Sequence, residues 1–167
     1  LCHMIGTRPY STECSARDSW IAAIFTMGEG YHNYHHEFQW DYRNGVKPWQ
    51  LDPSKWIIWF CSKIGMTSDL KRVPKERILL AETRETRRRL EASMLSMKES
   101  GTENDPLFLK AMELLNELAA RLLEICDELQ KATHEKLALS KTKLKELRNE
   151  VRTMLAQIEK SSRVAFA

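Results

Sequence analysis

Three histidines lie within five residues of one another, in the segment HNYHH that contains His32, His35 and His36. In an α-helix, residues separated by three or four positions share a face, so these imidazoles would project together. Adjacent helical residues diverge by about 100°, so His35 and His36 could reach two different metal ions. Because imidazole binds zinc, copper and iron, the segment predicts part of a metal site whose other ligands come from elsewhere. A polar surface cluster is the alternative.

The bulk composition narrows the possible functions. The 167 residues carry a formal net charge of +3, which is too small to predict nucleic-acid binding. No run of about 20 apolar residues occurs, so no segment is predicted to cross a bilayer by itself. Four cysteines are scattered without a CxxC pair, which argues against a Cys-rich zinc module and favours free thiols. The chain begins at Leu1 within apolar sequence and is interpreted as a fragment or a processed chain.

Composition also divides the chain in two. Residues 1–73 contain all five tryptophans and all four tyrosines. Residues 74–167 contain neither and are rich in leucine, glutamate, lysine and arginine. The shift predicts a domain boundary between these two segments.

Two helices are predicted in the first domain. Arg17–Met27 is the first, with Ser15 as a possible cap. Ser54–Ile64 is the second, and an Asp-Pro pair precedes it. Its tryptophans and lysines suit a helix that lies in a membrane interface, and an ordinary buried amphipathic helix is the alternative.

Two long helices are predicted in the second domain. Lys75–Lys98 contains no helix breaker, and the polar segment Glu99–Asp105 then predicts a loop. Asp105 suits an N-cap, with Pro106 at the first helical position. Because neither glycine nor proline occurs between Leu107 and about Lys160, one continuous helix is predicted there. We expect the two helices to be antiparallel around the loop.

The second of these helices has heptad-spaced apolar residues. They form two runs: Leu115, Leu118, Leu122, Ile125 and Leu129, then Leu144, Leu147, Val151, Met154 and Ile158. The runs are offset by one position, which predicts a slip in a continuous seam. The pattern indicates a coiled-coil-like helix that serves packing, with self-association or partner docking as the alternative.

Two separate motifs resemble one known family. GEGYHNYHHEF at Gly28–Phe38, followed by DYRNG at Asp41–Gly45, resembles the last histidine box of membrane-bound fatty-acyl desaturases. The opening LCHMIGTRPY resembles the stretch after the last spanning helix of the same enzymes, where a histidine followed by glycine and Arg-Pro-Tyr supplies a further ligand. The likeness covers about the first 73 residues.

The resemblance implies a di-iron centre whose remaining ligands lie upstream of this chain. Its ligands among these residues would be four histidines: His3, His32, His35 and His36. A metal-bound imidazole needs an acceptor for its other ring nitrogen, and Glu29, Glu37 and Asp41 are the nearby carboxylates that could provide one. No residue is assigned a catalytic acid–base role.

The expected architecture is all-α. It consists of the helical cytosolic cap that the resemblance implies, followed by the long coiled-coil-like helices that the periodicity predicts. The implied reaction is the oxygen-dependent introduction of a cis double bond into the saturated chain of an acyl-CoA or acyl-lipid. The haem-binding HPGG motif that some relatives carry is absent from these residues, so a separate b-type cytochrome or ferredoxin would deliver electrons. The implied location is the cytosolic face of a membrane, endoplasmic reticulum in a eukaryote or inner membrane in a bacterium.

Three other functions are considered. A hydroxylase of the same histidine-box superfamily would share HxxHH. A zinc hydrolase would need a general base beside an open zinc position, and no HExxH occurs. A non-enzymatic coiled-coil adaptor would explain the second domain and leave the first unexplained. Because the first two histidine boxes are missing from these residues, the chain is expected to be inactive alone.

Overall fold

A computed structural model describes residues 2–99, 106–135 and 139–165, excluding the side chains of Met97, Leu107 and residues 161–165. The chain divides into two compact units, Leu1–Pro74 and Lys75–Ala167. Six α-helices and two isolated β-bridges occur within the described ranges, which confirms the all-α prediction. The helices are α1 Trp20–Phe25, α2 His32–Glu37, α3 Pro53–Lys63, α4 Lys75–Glu99, α5 Pro106–His134 and α6 Lys141–Ala165. None of the described helices is both long and apolar enough to cross a membrane.

The first helix of the first unit is shorter than predicted. Its N-cap is Ser19, whose hydroxyl accepts a hydrogen bond from the backbone of Ala22, and not Ser15. The preceding residue, Asp18, is held in extended backbone by bridges to Thr7 and Tyr31, so the helix cannot begin earlier. The prediction of a helix over Arg17–Met27 was therefore too long at both ends.

The helix α3 agrees with the predicted second helix to within one residue at each end. Asp52 caps it by accepting a hydrogen bond from the backbone N–H of Lys55, and Pro53 occupies the first turn. Proline suits that position because the first helical N–H groups have no partner within the helix. No residue of α3 is buried within the chain.

The second unit is a bundle of three helices, so the predicted continuous helix from Leu107 to Lys160 is wrong. That stretch forms α5 and α6, which ion pairs between Arg121 and Glu150 and between Glu128 and Lys143 align as antiparallel partners. The Ser140 hydroxyl caps α6 by accepting a hydrogen bond from the backbone of Lys143. The offset between the two heptad runs marks a break between helices, and residues 136–138 of this connection, with Lys136 and Leu137, lie outside the described residues.

The helix α4 completes the bundle and runs parallel to α6. Glu76 accepts a hydrogen bond from the backbone of Leu139, and further along Glu82 pairs with Arg148. Both heptad runs face the core, together with leucines of α4. The fully buried core residues are Leu79, Leu90, Leu115, Leu122, Ile125 and Leu129. The predicted loop residues Ser100–Asp105, including the cap Asp105, lie outside the described residues.

Candidate metal centre

The histidine segment forms the short helix α2, which receives its N-terminal cap from a distant residue. Tyr31, at the N-cap position, makes no side-chain cap hydrogen bond. The Asp18 carboxylate instead accepts hydrogen bonds from the backbone N–H groups of Asn33 (2.9 Å) and Tyr34 (3.1 Å). Burial raises the pKa of Asp18 to about 6, although these two hydrogen bonds oppose the shift. Asp18 thus fixes the start of the helix that carries three of the four candidate ligands.

The glycines of the GEG motif bring the histidine helix close to α1. Gly28 has a φ of +105°, a backbone conformation that side chains of L residues rarely adopt. A Cβ atom at Gly30 would collide with the backbone of Ala23 in α1. The two glycines therefore serve a tight turn and a close helix approach.

His3 reaches the histidine helix from the opening loop of the chain. Its ring centroid lies 5.0 Å from that of His32 and 6.1 Å from that of His36. The His3 Nδ1 atom is 2.8 Å from the hydroxyl oxygen of Ser15, which leaves Nε2 available to a metal. The backbone N–H of Arg17 donates a 2.8 Å hydrogen bond to the carbonyl of Cys2, which holds the residue before His3 in place.

Three imidazoles lie close enough together to be candidate ligands of one metal ion. His3, His32 and His36 each offer a ring nitrogen, and the three atoms lie within 4.8 Å of one another. The Nε2 atoms of His32 and His36 are 3.1 Å apart. Two ligands that each bind one metal at about 2.1 Å are separated by about 3.0 to 3.4 Å at right-angled or tetrahedral geometry. The His32–His36 pair therefore fits a transition metal that accepts imidazole, and His3 lies close enough to be a candidate third ligand.

His35 lies to one side of this group. Its ring stacks on that of His32 with centroids 6.1 Å apart, and it is exposed. Its centroid is also 6.1 Å from that of His36, at a steep interplanar angle of 79°. The structure thus groups the ring nitrogens of three of the four predicted ligands within 4.8 Å, and His35 lies outside that group.

The electrostatic environment keeps His32 neutral more readily than an isolated histidine. Burial lowers the pKa of His32, and the neighbouring His36, His3 and His35 lower it further, while Glu29 opposes them. Its Nδ1 atom is buried and has no hydrogen-bond partner. Since a metal binds the neutral imidazole, this shift favours binding.

The three candidate carboxylates occupy different places. Glu29 and Glu37 are exposed, and Glu29 acts on His32 through its charge. Asp41 does not contact a histidine. Its buried carboxylate accepts hydrogen bonds from the Tyr34 hydroxyl, from Arg43 and from the backbone of Val73. Burial would raise the pKa of Asp41, but these donors together lower it. Asp41 therefore anchors the end of the first unit through these hydrogen bonds.

Sequence reasoning missed Ser15, Asp18 and Asn33. All three act across at least 12 residues of sequence, so no local spacing signals them. The only signal in the sequence was the polar residue Asn33, which stands among the histidines of α2. That signal does not indicate which residues Asn33 contacts.

Comparison with known proteins identifies relatives of the chain. It is 51% identical over 78 residues to acyl-CoA desaturase 1 of Saccharomyces cerevisiae, a match that covers 47% of this chain and 15% of that protein. It is 44% identical over 78 residues to a probable acyl-CoA desaturase of Schizosaccharomyces pombe, a match that covers 47% of this chain and 16% of that protein. It is 42% identical over 76 residues to delta-9 acyl-lipid desaturase 2 of Arabidopsis thaliana, a match that covers 46% of this chain and 24% of that protein.

The chain thus spans between 15% and 24% of the length of these three relatives. No protein-family model and no solved structure matches it. These curated relatives are acyl-CoA and acyl-lipid desaturases, and the chain is similar to a fragment of a fatty-acyl desaturase.

Proposed function

We propose that the gene product is a fatty-acyl desaturase and that this chain supplies part of its di-iron site. The observation that carries the proposal is the convergence of ring nitrogens from His3, His32 and His36 within 4.8 Å, in a chain whose relatives are desaturases. His3 comes from a loop and the other two from α2. A metal site requires such convergence of residues that are distant in sequence, whereas a polar surface cluster does not.

The proposal assigns the histidines to two ions. His3, His32 and His36 would hold one iron, and His35, whose ring faces another position, would help to hold the second. Ligands from the rest of the protein would complete both. Two irons, when bound, would supply the activation of oxygen that removal of hydrogen from a saturated carbon chain requires, because such bonds are beyond acid–base catalysis.

The residues of this chain would act by holding and orienting that site. Ser15 keeps the His3 ring turned so that Nε2 is available. Asp18 fixes the N-terminus of α2 and hence the direction of its imidazoles. The carboxylate of Glu29 would favour a cationic centre through its charge on His32. The substrate would be an acyl-CoA or an acyl-lipid, and a separate b-type cytochrome or ferredoxin would bring electrons.

Exposed apolar side chains on the first unit support the same proposal. We define the aromatic face as the exposed apolar side chains of α3, which are Trp56, Ile57, Trp59 and Phe60. The helix α1 separately exposes Trp20, Ile21, Ile24 and Phe25. Lys63 lies over the ring of Trp59, with its ammonium 5.4 Å from the ring centroid. Exposed tryptophans beside lysines are typical of a membrane interface. The proposed location is the cytosolic face of a membrane, with the spanning segments supplied by other parts of the protein.

The decisive experiment uses the full-length gene product in membranes of a host that lacks its own desaturase. Iron content and the acyl products are measured for the wild type, for His36→Ala, and for His134→Ala as a matched control. His134 is an exposed histidine on α5 of the second unit. We expect about two irons per chain and a monounsaturated acyl product from the wild type and the control, and neither from His36→Ala.

Three other outcomes would redirect the proposal. A hydroxylated acyl chain in place of an alkene would identify a hydroxylase of the same superfamily. Zinc in place of iron, with no oxygen-dependent product, would identify a zinc enzyme. Unchanged metal content and product in His36→Ala would show that HNYHH is not the site and would favour the coiled-coil adaptor.

A further inference from the structure

The side chain of Asn33 is fully buried and makes hydrogen bonds with the opening loop of the chain. Its exposed fraction is 0%, although it stands one residue from His32 on a helix whose imidazoles face outward. Its Oδ1 atom accepts hydrogen bonds from the backbone of Tyr10 (2.9 Å) and Ser11 (3.3 Å). Its Nδ2 group donates to the carbonyls of Ser11 (2.7 Å) and Ala16 (3.0 Å).

The four hydrogen bonds to backbone groups use the full capacity of one amide, and a longer contact of 3.8 Å joins Nδ2 to the Cys14 Sγ atom. An asparagine side chain offers two acceptor sites on oxygen and two donor hydrogens on nitrogen. Here two N–H groups and two carbonyls of the loop match them one to one. An aspartate would present its oxygen to the carbonyls, and an apolar residue would remove the partner of four buried or part-buried backbone groups, each at a desolvation cost. The site therefore requires asparagine.

The loop that Asn33 holds is the one that holds His3. Asn33 binds the carbonyl of Ala16, and the residue on each side of Ala16 contacts the His3 segment. On one side, the Ser15 hydroxyl lies 2.8 Å from the His3 ring. On the other, the backbone of Arg17 donates to the carbonyl of Cys2. Asn33 thus couples the helix that carries His32 and His36 to the loop that carries His3.

We propose that Asn33 is the positioning residue that sets the distance between His3 and the imidazoles of α2, and so assembles a three-histidine metal site from two segments. This inference rests on the proposed function, since it assumes that these histidines bind metal. Asn33 touches no metal and has no chemical role. It acts only through the placement of His3.

The test measures Co²⁺ affinity of the 167-residue chain by visible absorption, in the wild type and in the variants His3→Ala, Asn33→Ala and the double variant. We expect each single substitution to weaken binding about 10- to 100-fold, the range seen when groups that orient metal ligands are removed. In the His3→Ala background, Asn33→Ala should weaken binding no further. In a His36→Ala background, its effect should persist.

Two results of this titration would overturn the inference. Equal losses from Asn33→Ala with and without His3 would show that Asn33 acts through α2 or through general stability. An unchanged affinity in Asn33→Ala, with Co²⁺ binding still dependent on His3, would show that the loop needs no such clamp. A wild-type chain that binds no Co²⁺, or binds it without regard to His3, would defeat the proposed metal site itself.

A second measurement covers the case in which Asn33→Ala fails to fold. In the wild-type chain, hydrogen exchange of the Tyr10 and Ser11 amides reports directly on the bonds to Asn33. Because coupling between two sites is reciprocal, saturating Zn²⁺ should slow exchange of these amides at least tenfold. In His3→Ala, Zn²⁺ should leave their exchange unchanged. Equal protection in both chains would overturn the inference.

Discussion

The Tyr34 hydroxyl donates a 2.8 Å hydrogen bond to Asp41, whose side chain is fully buried. The same carboxylate accepts hydrogen bonds from Arg43 and from the backbone of Val73, 32 residues further along the chain. Tyr34 itself stands between the histidines of α2 and is 1% exposed. The histidine helix is therefore tied to the last residues of its own unit through one carboxylate.

This relationship predicts unequal effects for two substitutions. Asp41→Ala should reduce the free energy of unfolding of the first unit by about 3–5 kcal/mol, because the partly buried Arg43 charge, the Tyr34 hydroxyl and the Val73 N–H would all lose their acceptor. Tyr34→Phe should cost about 1 kcal/mol, since it removes one hydrogen bond and leaves the others. Urea unfolding followed by tryptophan fluorescence measures this, because all five tryptophans lie in the first unit. Equal losses from both variants would contradict the anchoring role of Asp41.

The raised pKa of Asp18 predicts a pH dependence of stability. The folded pKa of about 6 lies above the ordinary value of 3.8, because burial disfavours the charged form. Between these values the folded state binds more protons than the unfolded state, so stability falls as pH rises from about 4 to 6. Asp18→Asn keeps an oxygen for the N–H groups of Asn33 and Tyr34 but cannot ionise.

Thermal unfolding between pH 4 and 7 measures this dependence. The melting temperature of Asp18→Asn, relative to wild type, should improve as pH rises from about 4 to about 6 and level off above it. Asp18→Ala is the control, since it loses both hydrogen bonds to α2 and should be less stable than Asp18→Asn at every pH. A difference between Asp18→Asn and wild type that does not vary with pH would show that Asp18 is ionised normally in the folded chain.

Parts of the structure follow from local signals, and other parts do not. The Asp-Pro pair at the start of α3 predicts that helix correctly, because the cap and first turn are set by neighbouring residues. Heptad spacing identifies the core faces of α5 and α6, and the one-position offset between the two runs, which was interpreted as a slip within one helix, marks the break between them. The N-cap Ser140 was the local signal for it.

The candidate site divides in the same way. The spacing of His32 and His36 places their imidazoles together, because residues four positions apart in a helix share a face. No spacing brings His3 to them, since its loop is placed by hydrogen bonds to Asn33 and Ser15 that cross 12 to 23 residues of sequence. His3 could be assigned only through resemblance to a family, and Asn33 only from the structure.

The separation of His35 from the other three histidines predicts a selective loss of metal binding. Co²⁺ titration of the 167-residue chain should show one ion whose affinity falls more than tenfold in His36→Ala, which removes one of three converging nitrogens. His35→Ala should change it by less than about threefold, since coupling between groups that share no ligand is small. The two residues are adjacent and both exposed, so each controls for the other. An equal loss in both would place His35 on the same ion.

The bundle of the second unit predicts a sharp contrast between adjacent leucines. Leu122 is 0% exposed in the core, and Leu123 is 46% exposed on the same helix. Leu122→Ala should reduce the free energy of unfolding by about 2–5 kcal/mol, through lost burial and the cavity left behind. Leu123→Ala should change it by less than about 0.5 kcal/mol, as for most surface positions.

Far-UV circular dichroism follows this unfolding, because α4, α5 and α6 hold most of the helical residues. Tryptophan fluorescence serves as an internal control, since the second unit contains no tryptophan. Equal sensitivity of the two leucine positions would contradict the assignment of the core. It would instead favour a surface on which Leu123 is covered by a second copy of the chain.

The aromatic face predicts binding to lipid vesicles by the first unit alone. Phe60 in α3 and Leu109 in α5 are each 58% exposed, so they form a matched pair on the two units. Burying the exposed part of a phenylalanine in lipid contributes about 1 kcal/mol, so Phe60→Ser should weaken partitioning into vesicles by about fivefold. Leu109→Ser should leave it unchanged. Vesicle flotation with the 167-residue chain measures both, using phosphatidylcholine with and without an anionic lipid.

Charge should add a separate, salt-dependent part to this binding. The helix α3 contains lysines but no acidic residue, and Lys63 stands beside the exposed ring of Trp59. Anionic vesicles should therefore bind the chain more tightly than neutral ones, with a difference that shrinks as salt rises because screening shortens the range of surface charges. Lys63→Gln should reduce that difference and leave binding to neutral vesicles intact. Equal losses from Phe60→Ser and Leu109→Ser would show that adhesion to lipid is unspecific and would contradict a membrane role for the aromatic face.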